Sequence, residues 1–368
     1  MGVFPNIIPI NEWFSQFKSQ SIIISGPCSA ESEEQILSTA KEIDKIGKVT
    51  IFRAGIWKPR TRPESFEGIG EKGLIWLKRV KEETKLLTIT EVATPEHIEL
   101  CLKNNIDLLW IGARTTSNPF SVQELANALK GVDIPVMVKN PVNPDINLWT
   151  GALERISMAG IKKIAAIHRG FFPFEQTPLR NIPKWEIPIE LKRKFNNIPV
   201  ICDPSHISGT TVFIEEIAQR ALDLNMDGLM IESHIDPKNA LSDTNQQLTP
   251  AELDNLLNKL IFRKASSNNK EFVNTLEQYR NQIDSIDAQM LELFAQRMAV
   301  IEKIGEYKKK NNVTIFQLKR WENIFSTRNK LGKKLGLSDD FVKKLLQIIH
   351  KESIQKQTEV MKKKTLKH

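Results

Sequence analysis

The residues best suited to chemistry in this sequence fall just after short apolar runs. Cys28 stands in GPCSAES, His206 in CDPSHISG, Glu232 in IESH and Asp243 in ALSDTNQQLTP. One soft thiolate, one imidazole and two carboxylates make a plausible ligand set for a single divalent metal ion. Cations accompany them. FRAGIWKPRTRPESF, residues 52–66, carries Arg53, Lys58, Arg60 and Arg62 within ten positions. Charges that close repel one another unless water or an anion lies between them. Arg114 in IGAR, Lys139 in VKNP and Arg169 in HRG add three more. So many cations around a metal would suit a phosphorylated, carboxylated substrate. Taken singly, each residue says little, because buried inert thiols are common and a lone basic residue is usually solvated. Their shared position is the signal.

That position depends on the elements beneath. Eight short apolar runs, SIIIS, VTIFRA, LLTITEV, DLLWIG, PVMVK, KIAAIH, PVICD and GLMIES, alternate with amphipathic segments such as SEEQILSTAKEIDKIG. Eight strand–helix units predict an α/β fold, a (β/α)8 TIM barrel over residues 1–263, in which polar residues just after the strands face the active site. Residues 264–271, within the polar stretch IFRKASSNNKE, read as a linker. Beyond it, residues 272–368 predict a smaller all-α domain. A 3.6-residue apolar period with no proline marks one very long helix, and two more follow near 317–334 and 338–361.

Composition bounds the remaining possibilities. The 368 residues are 40% hydrophobic and 26% charged, as in ordinary globular proteins. No apolar run approaches the roughly 20 residues a membrane span needs, and the N-terminus lacks the layout of a secretory signal. Three cysteines, Cys28, Cys101 and Cys202, do not make a disulfide framework, so a reducing cytoplasm is expected. The net charge of +8 is uneven: from residue 270 onward 21 Lys and Arg stand against 12 Asp and Glu. Such an excess fits a body that handles anions, or a solvated basic helical face. Nucleic acid is a weaker reading, since no DNA- or RNA-binding motif is present.

The barrel motifs GPCSAES, RAGIWKPRT, IGAR, VKNP, HRG, DPSHISG, IESH and ALSDTNQQLTP resemble, in order, 3-deoxy-D-arabino-heptulosonate 7-phosphate (DAHP) synthases of the compact type. The resemblance implies condensation of phosphoenolpyruvate with erythrose 4-phosphate at the entrance to the shikimate pathway. It assigns one divalent ion, such as Mn, Fe, Co or Zn, to Cys28, His206, Glu232 and Asp243. Phosphoenolpyruvate falls to Arg53, Lys58, Arg114, Lys139 and Arg169, and erythrose 4-phosphate to Arg60 and Thr61. Arg62 lies outside the matched positions. Lys139 or a water beside the ion would handle the proton. The related 3-deoxy-D-manno-octulosonate-phosphate synthases carry a Lys-Ala-Asn-Arg-Ser type sequence where this chain has KPRT, which favours the four-carbon aldehyde.

In the helical body, Arg280, Arg297 and Lys308 are spaced by 17 and 11 residues. At about 100° per residue, the second interval puts Arg297 and Lys308 on one face and the first turns Arg280 away. YRNQIDSIDAQMLELFAQRMAVIEKIGEYK, IFQLKRWE and LLQIIHKESIQKQ resemble the all-helical chorismate mutases. The resemblance implies an intertwined dimer, or a higher homo-oligomer, in which the first arginine enters the partner's site. Chorismate would be bound by Arg280, Arg297, Lys308, Gln317, Arg320, Ser353 and Gln357, with Lys308 and Gln357 donating to the ether oxygen. No metal or other cofactor is implied there, because the rearrangement to prephenate is pericyclic. Two departures predict weakened turnover: Trp321 stands where the family places a glutamate, and Gln317 where it places an aspartate. The alternative is a helical body that only senses chorismate or prephenate and dimerises. About twenty residues precede the first strand, too few for an N-terminal regulatory domain, so feedback by prephenate or chorismate is expected through the C-terminal body.

Overall fold

The structure, a computed structural model, describes residues 7–17, 21–58, 66–174, 176–264 and 266–363. The chain divides into two compact units, Met1–Ala265 and Ser266–His368.

In the first unit, each of the eight apolar runs forms a strand. They are β1 (Ile22–Gly26), β2 (Ile51–Arg53), β3 (Leu87–Val92), β4 (Leu108–Ile111), β5 (Val136–Lys139), β6 (Ile164–His168), β7 (Val200–Cys202) and β8 (Gly228–Glu232). All pair in parallel, and β1 closes on β8 from Ile22↔Gly228 to Gly26↔Glu232. Parallel strands covered on both faces need continuous apolar runs, which explains why these segments lack the alternation of half-exposed strands. The inner face packs Ile24, Ile51, Ile89, Trp110, Met137 and Met230 into a closed interior core, and Trp13 and Phe17 of the N-terminal segment join it. The outer face packs on the surrounding helices, with Trp149, Leu153 and Ile156 of the helix Ile146–Met158 among the buried residues.

Helix starts in the barrel follow local chemistry. Ser32 caps Glu33–Ile46 by accepting from the Gln35 amide, and Thr249 forms a reciprocal capping box with Glu252.

The second unit is three helices, Lys270–Lys310, Leu318–Lys334 and Asp339–Lys362. The first spans 41 residues and begins where Asn269 accepts from the Phe272 amide, so its first turn takes up Lys270 and Glu271 from the stretch read as linker. Gly305 lets the third helix approach closely. A Cβ there would lie 3.3 Å from side-chain carbons of Gln357 and Val360. Among the described residues, no helix is long and apolar enough to cross a membrane.

Candidate active sites

The C-terminal ends of the strands deliver the polar residues to one place. Cys28 follows β1, Glu232 ends β8, and Asp243 lies in the loop beyond it with a left-handed backbone, φ 49°. Ligating atoms of these three lie within 4.8 Å of one another. His206 arrives by a different route. In CDPSH, Asp203 caps a single helical turn, Pro204–Ser208, and accepts from the His206 amide at 3.1 Å. The same carboxylate takes the ring Nδ1 at 2.9 Å, which leaves Nε2 pointing inward, 3.7 Å from Glu232 Oε1 and 4.0 Å from Asp243 Oδ2. Cys28, Glu232 and Asp243 thus form one group, and His206 approaches it from the side of the two carboxylates.

The electrostatics suit a cation at that point. Burial pushes the Cys28 thiol up to about 12, with Glu232 reinforcing it, so an approaching cation would favour the thiolate. Burial opposes ionisation of Glu232 and Asp243 too, yet the charges around them, His206 foremost, hold both below the usual carboxylate range. Burial pushes His206 below its ordinary value, against the pull of Asp203 and Glu232. Glu232 Oε1 is buried and is met by Arg53 in an ion pair at 3.0 Å rather than by a well-aligned hydrogen bond. The donor set fits a divalent ion held by sulfur, nitrogen and carboxylate oxygen.

A cavity of about 410 Å³ opens above, lined by Lys58, Arg114, Lys139, Arg169, His206 and Asp243 among others. Lys58 Nζ donates to the Cys28 sulfur at 2.8 Å. Arg53 is fully buried, pairs with Glu232 Oε1 at 3.0 Å, and lies 5.0 Å from the Trp110 ring centre. Lys139 Nζ is 5.5 Å from the same ring and 3.0 Å from Asp203 Oδ2. Arg169 is pushed down to about 10 by burial, and donates to Asn181 Oδ1 at 2.8 Å. Arg60 and Thr61 lie outside the described residues.

Several residues at this site have no role in the sequence reading: Asp203, Arg180, Asn181, Gln246 and Glu91. Asp203 directly follows β7, so the strand-end rule that found the others applies to it. Glu91, on β3, lines the cavity and accepts from Trp110 Nε1 at 2.9 Å. Arg180 and Asn181 lie in the connection after β6, where no periodicity marks them.

In the helical unit the matched residues divide into two sets. Arg297 Nη1 donates to Ser353 Oγ at 2.7 Å, Gln357 Nε2 donates to the Ser353 carbonyl at 3.2 Å, and Lys308 Nζ donates to the Ile315 carbonyl at 2.5 Å. Burial lowers both Arg297 and Lys308. Gln357 Oε1 is buried without a partner. Arg280, Gln317 and Arg320 are exposed instead, and Arg280 pairs with Glu277. Trp321 stacks on His350 with ring centres 3.8 Å apart.

Known proteins resemble both units. Residues 279–358 match the model of chorismate mutase type II. A Thermotoga maritima protein, phospho-2-dehydro-3-deoxyheptonate aldolase, is 31% identical over 226 residues, covering 61% of this chain and 64% of the relative. The chain thus spans slightly less than two thirds of that relative's length. A 2-dehydro-3-deoxyphosphooctonate aldolase of Desulfotalea psychrophila is 28% identical, covering 67% of this chain and 90% of the relative. The crystal structure of a Thermotoga maritima phospho-2-dehydro-3-deoxyheptonate aldolase (DAHP synthase) superposes with a TM-score of 0.59 at 27% identity, covering 69% of this chain and 76% of that one. Residues 17–265 match the model of the DAHP synthetase I family across the whole barrel, and the chain belongs to that family.

Proposed function

We propose that the barrel condenses phosphoenolpyruvate with erythrose 4-phosphate to DAHP, and that the helical unit rearranges chorismate to prephenate. The observation that carries the first half is the union of a cation-lined cavity with a Cys28, Glu232 and Asp243 cluster at its edge, which His206 Nε2 approaches. Those four residues would hold one divalent ion, which when bound would supply Lewis-acid polarisation of the aldehyde carbonyl. Arg114, Lys139 and Arg169 would bind the phosphate and carboxylate of phosphoenolpyruvate, with Arg53 and Lys58 completing its charge balance. Lys139, poised between Asp203 and the cavity, would hold or deliver the proton. Erythrose 4-phosphate would lie toward Arg60 and Thr61, and the KPRT sequence favours that aldehyde over a five-carbon one. Assay with erythrose 4-phosphate against arabinose 5-phosphate separates the two, and preference for the pentose would overturn the assignment.

The helical half rests on Arg297, Ser353 and Gln357 lying between the first and third helices, with Lys308 turned toward the connection after the first helix. Arg297 would clamp a carboxylate, and Lys308 and Gln357 would donate to the ether oxygen as charge grows there. A second copy would supply Arg280. Ile283, Ile286, Met290 and Leu293 stand exposed along one side of the long helix at spacings of three and four, a stripe suited to another helix. Protein of this kind would work in the cytoplasm as a homodimer or larger homo-oligomer. The Trp321–His350 stack favours a second reading, in which the helical unit binds chorismate or prephenate as a sensor with little turnover.

One experiment divides the two halves. With both activities measured on the full chain, a chelator, Cys28→Ala or His206→Ala should abolish DAHP formation while chorismate turnover persists. Equal loss of both in a folded variant would overturn the metal assignment.

A further inference from the structure

The two carboxylates at the ion-binding point each turn one oxygen toward the cluster and the other to Arg180 or Gln246, and Arg53 also meets the cluster-side oxygen of Glu232. Asp243 Oδ2 faces Cys28 Sγ at 3.3 Å and His206 Nε2 at 4.0 Å, whereas Asp243 Oδ1 is taken by Arg180 Nη1 at 3.1 Å. Glu232 Oε1 faces His206 Nε2 at 3.7 Å and Arg53 at 3.0 Å, whereas Glu232 Oε2 accepts from Gln246 Nε2 at 2.7 Å. The outer partners are joined to each other, since Arg180 Nη1 donates to Gln246 Oε1 at 2.7 Å. Gln246 is buried, and its amide also reaches Asp243 Oδ2 at 3.4 Å.

We infer that Arg180 and Gln246 form a clamp that selects which oxygen of Glu232 and of Asp243 faces the ion. The physical need is plain. A carboxylate in a buried site can rotate between two equivalent faces, and Asp243 sits on a left-handed backbone in a loop, without a strand to hold it. The amide of Gln246 supplies the donor to Glu232 Oε2, opposite Arg53 on Oε1, and at the other end accepts from the guanidinium that fixes Asp243. Arg180 is itself anchored, because its amide donates to the Ser208 carbonyl at 3.0 Å and that of Asn181 donates to the Ile207 carbonyl at 3.1 Å. Residues from the connections after β6 and after β8 are thus tied together behind the ligands. Such outer partners commonly govern metal affinity by about 10–100-fold.

This inference rests on the metal reading above but not on the identity of the substrates. The test uses the full chain without substrate and titrates cobalt(II) against a competing chelator, following the thiolate-to-cobalt absorption band of Cys28. Gln246→Leu and Arg180→Ala should each weaken cobalt binding about 10–100-fold and alter that band. Arg180→Lys, which keeps a cation for Asp243, should restore part of the affinity. If Gln246→Leu does not fold, Arg180→Ala, at a partly exposed position, decides alone. Folded variants with wild-type affinity and an unchanged band would overturn the clamp. A wild-type chain that binds no cobalt would overturn both the clamp and the metal reading. Cobalt binding weakened as expected in a chain that forms no DAHP would overturn the proposed reaction and support the clamp.

Discussion

Asp203 carries more of the barrel site than any residue with an obvious chemical role. One carboxylate caps the turn that presents His206, orients the His206 ring and pairs with Lys139. Burial opposes its ionisation, but His206 and Lys139 outweigh that and hold it well below the usual carboxylate range. Removing one partner of a buried pair leaves the others uncompensated, at a cost of about 3–5 kcal/mol. Asp203→Ala should therefore lower barrel stability by about that amount in urea unfolding, and free His206 to rotate away from Glu232. A loss under about 1 kcal/mol would mean that the surrounding cations are satisfied without it. Residues that touch substrate should behave differently. Arg114→Ala should mainly raise the KM for phosphoenolpyruvate, because each lost charge-assisted contact is worth about 1.5–3 kcal/mol. A change confined to the KM for erythrose 4-phosphate would reverse the assignment of the two substrates.

Among the elements, the join of β1 to β2 sets the position of both Cys28 and Arg53. Gly26 ends β1 with φ 148°, and a Cβ there would meet the Arg53 carbonyl oxygen at 2.2 Å. Gly26→Ala must therefore strain the backbone, at about 1–3 kcal/mol, and push the two strands apart. Both thermal stability and DAHP formation should fall, while chorismate turnover is retained. Full DAHP formation in that variant would show that the strand ends tolerate displacement. The connection after β6 works as an element too. Asn181 accepts from Arg169 and donates to the His206 carbonyl at 2.6 Å, so one side chain ties the substrate-facing arginine to the turn carrying the imidazole.

For the molecule as a whole, the two chemistries proposed for this chain invite control of one by the other. We propose that prephenate, occupying the site around Arg297 and Lys308, inhibits DAHP formation. It can do so only by binding one state of the chain better than another, and couplings of about 1–3 kcal/mol are typical. Arg297→Ala in the full chain should then relieve inhibition by prephenate and leave condensation itself unchanged. Steady-state inhibition curves for the two chains would check this. Inhibition equal in both would place the effector elsewhere.

The eight strands, their order and the three helices are legible in the sequence, because periodicity and apolar runs are local properties that parallel burial and helix geometry impose directly. Also legible is which strand ends carry Cys28, Arg53, Arg114, Lys139, Arg169, His206 and Glu232, since a residue just after a barrel strand must face the C-terminal rim. The spacing of 17 that turned Arg280 away from Arg297 agrees with its exposed pairing to Glu277. Pairing between distant segments is set by the fold instead. Cys28 meets Gln247 across 219 residues, Arg180 meets Gln246 across 66, and Lys139 meets Asp203 across 64. No pattern within one segment encodes which side chain another segment will bring within 3 Å. Arg180 sits in an irregular loop and Gln246 ends the three-residue 3-10 turn Thr244–Gln246, where neither period nor strand-end position marks a residue. Barrel closure brings those loops together, and only then do two ordinary polar side chains become the partners of Asp243 and Glu232.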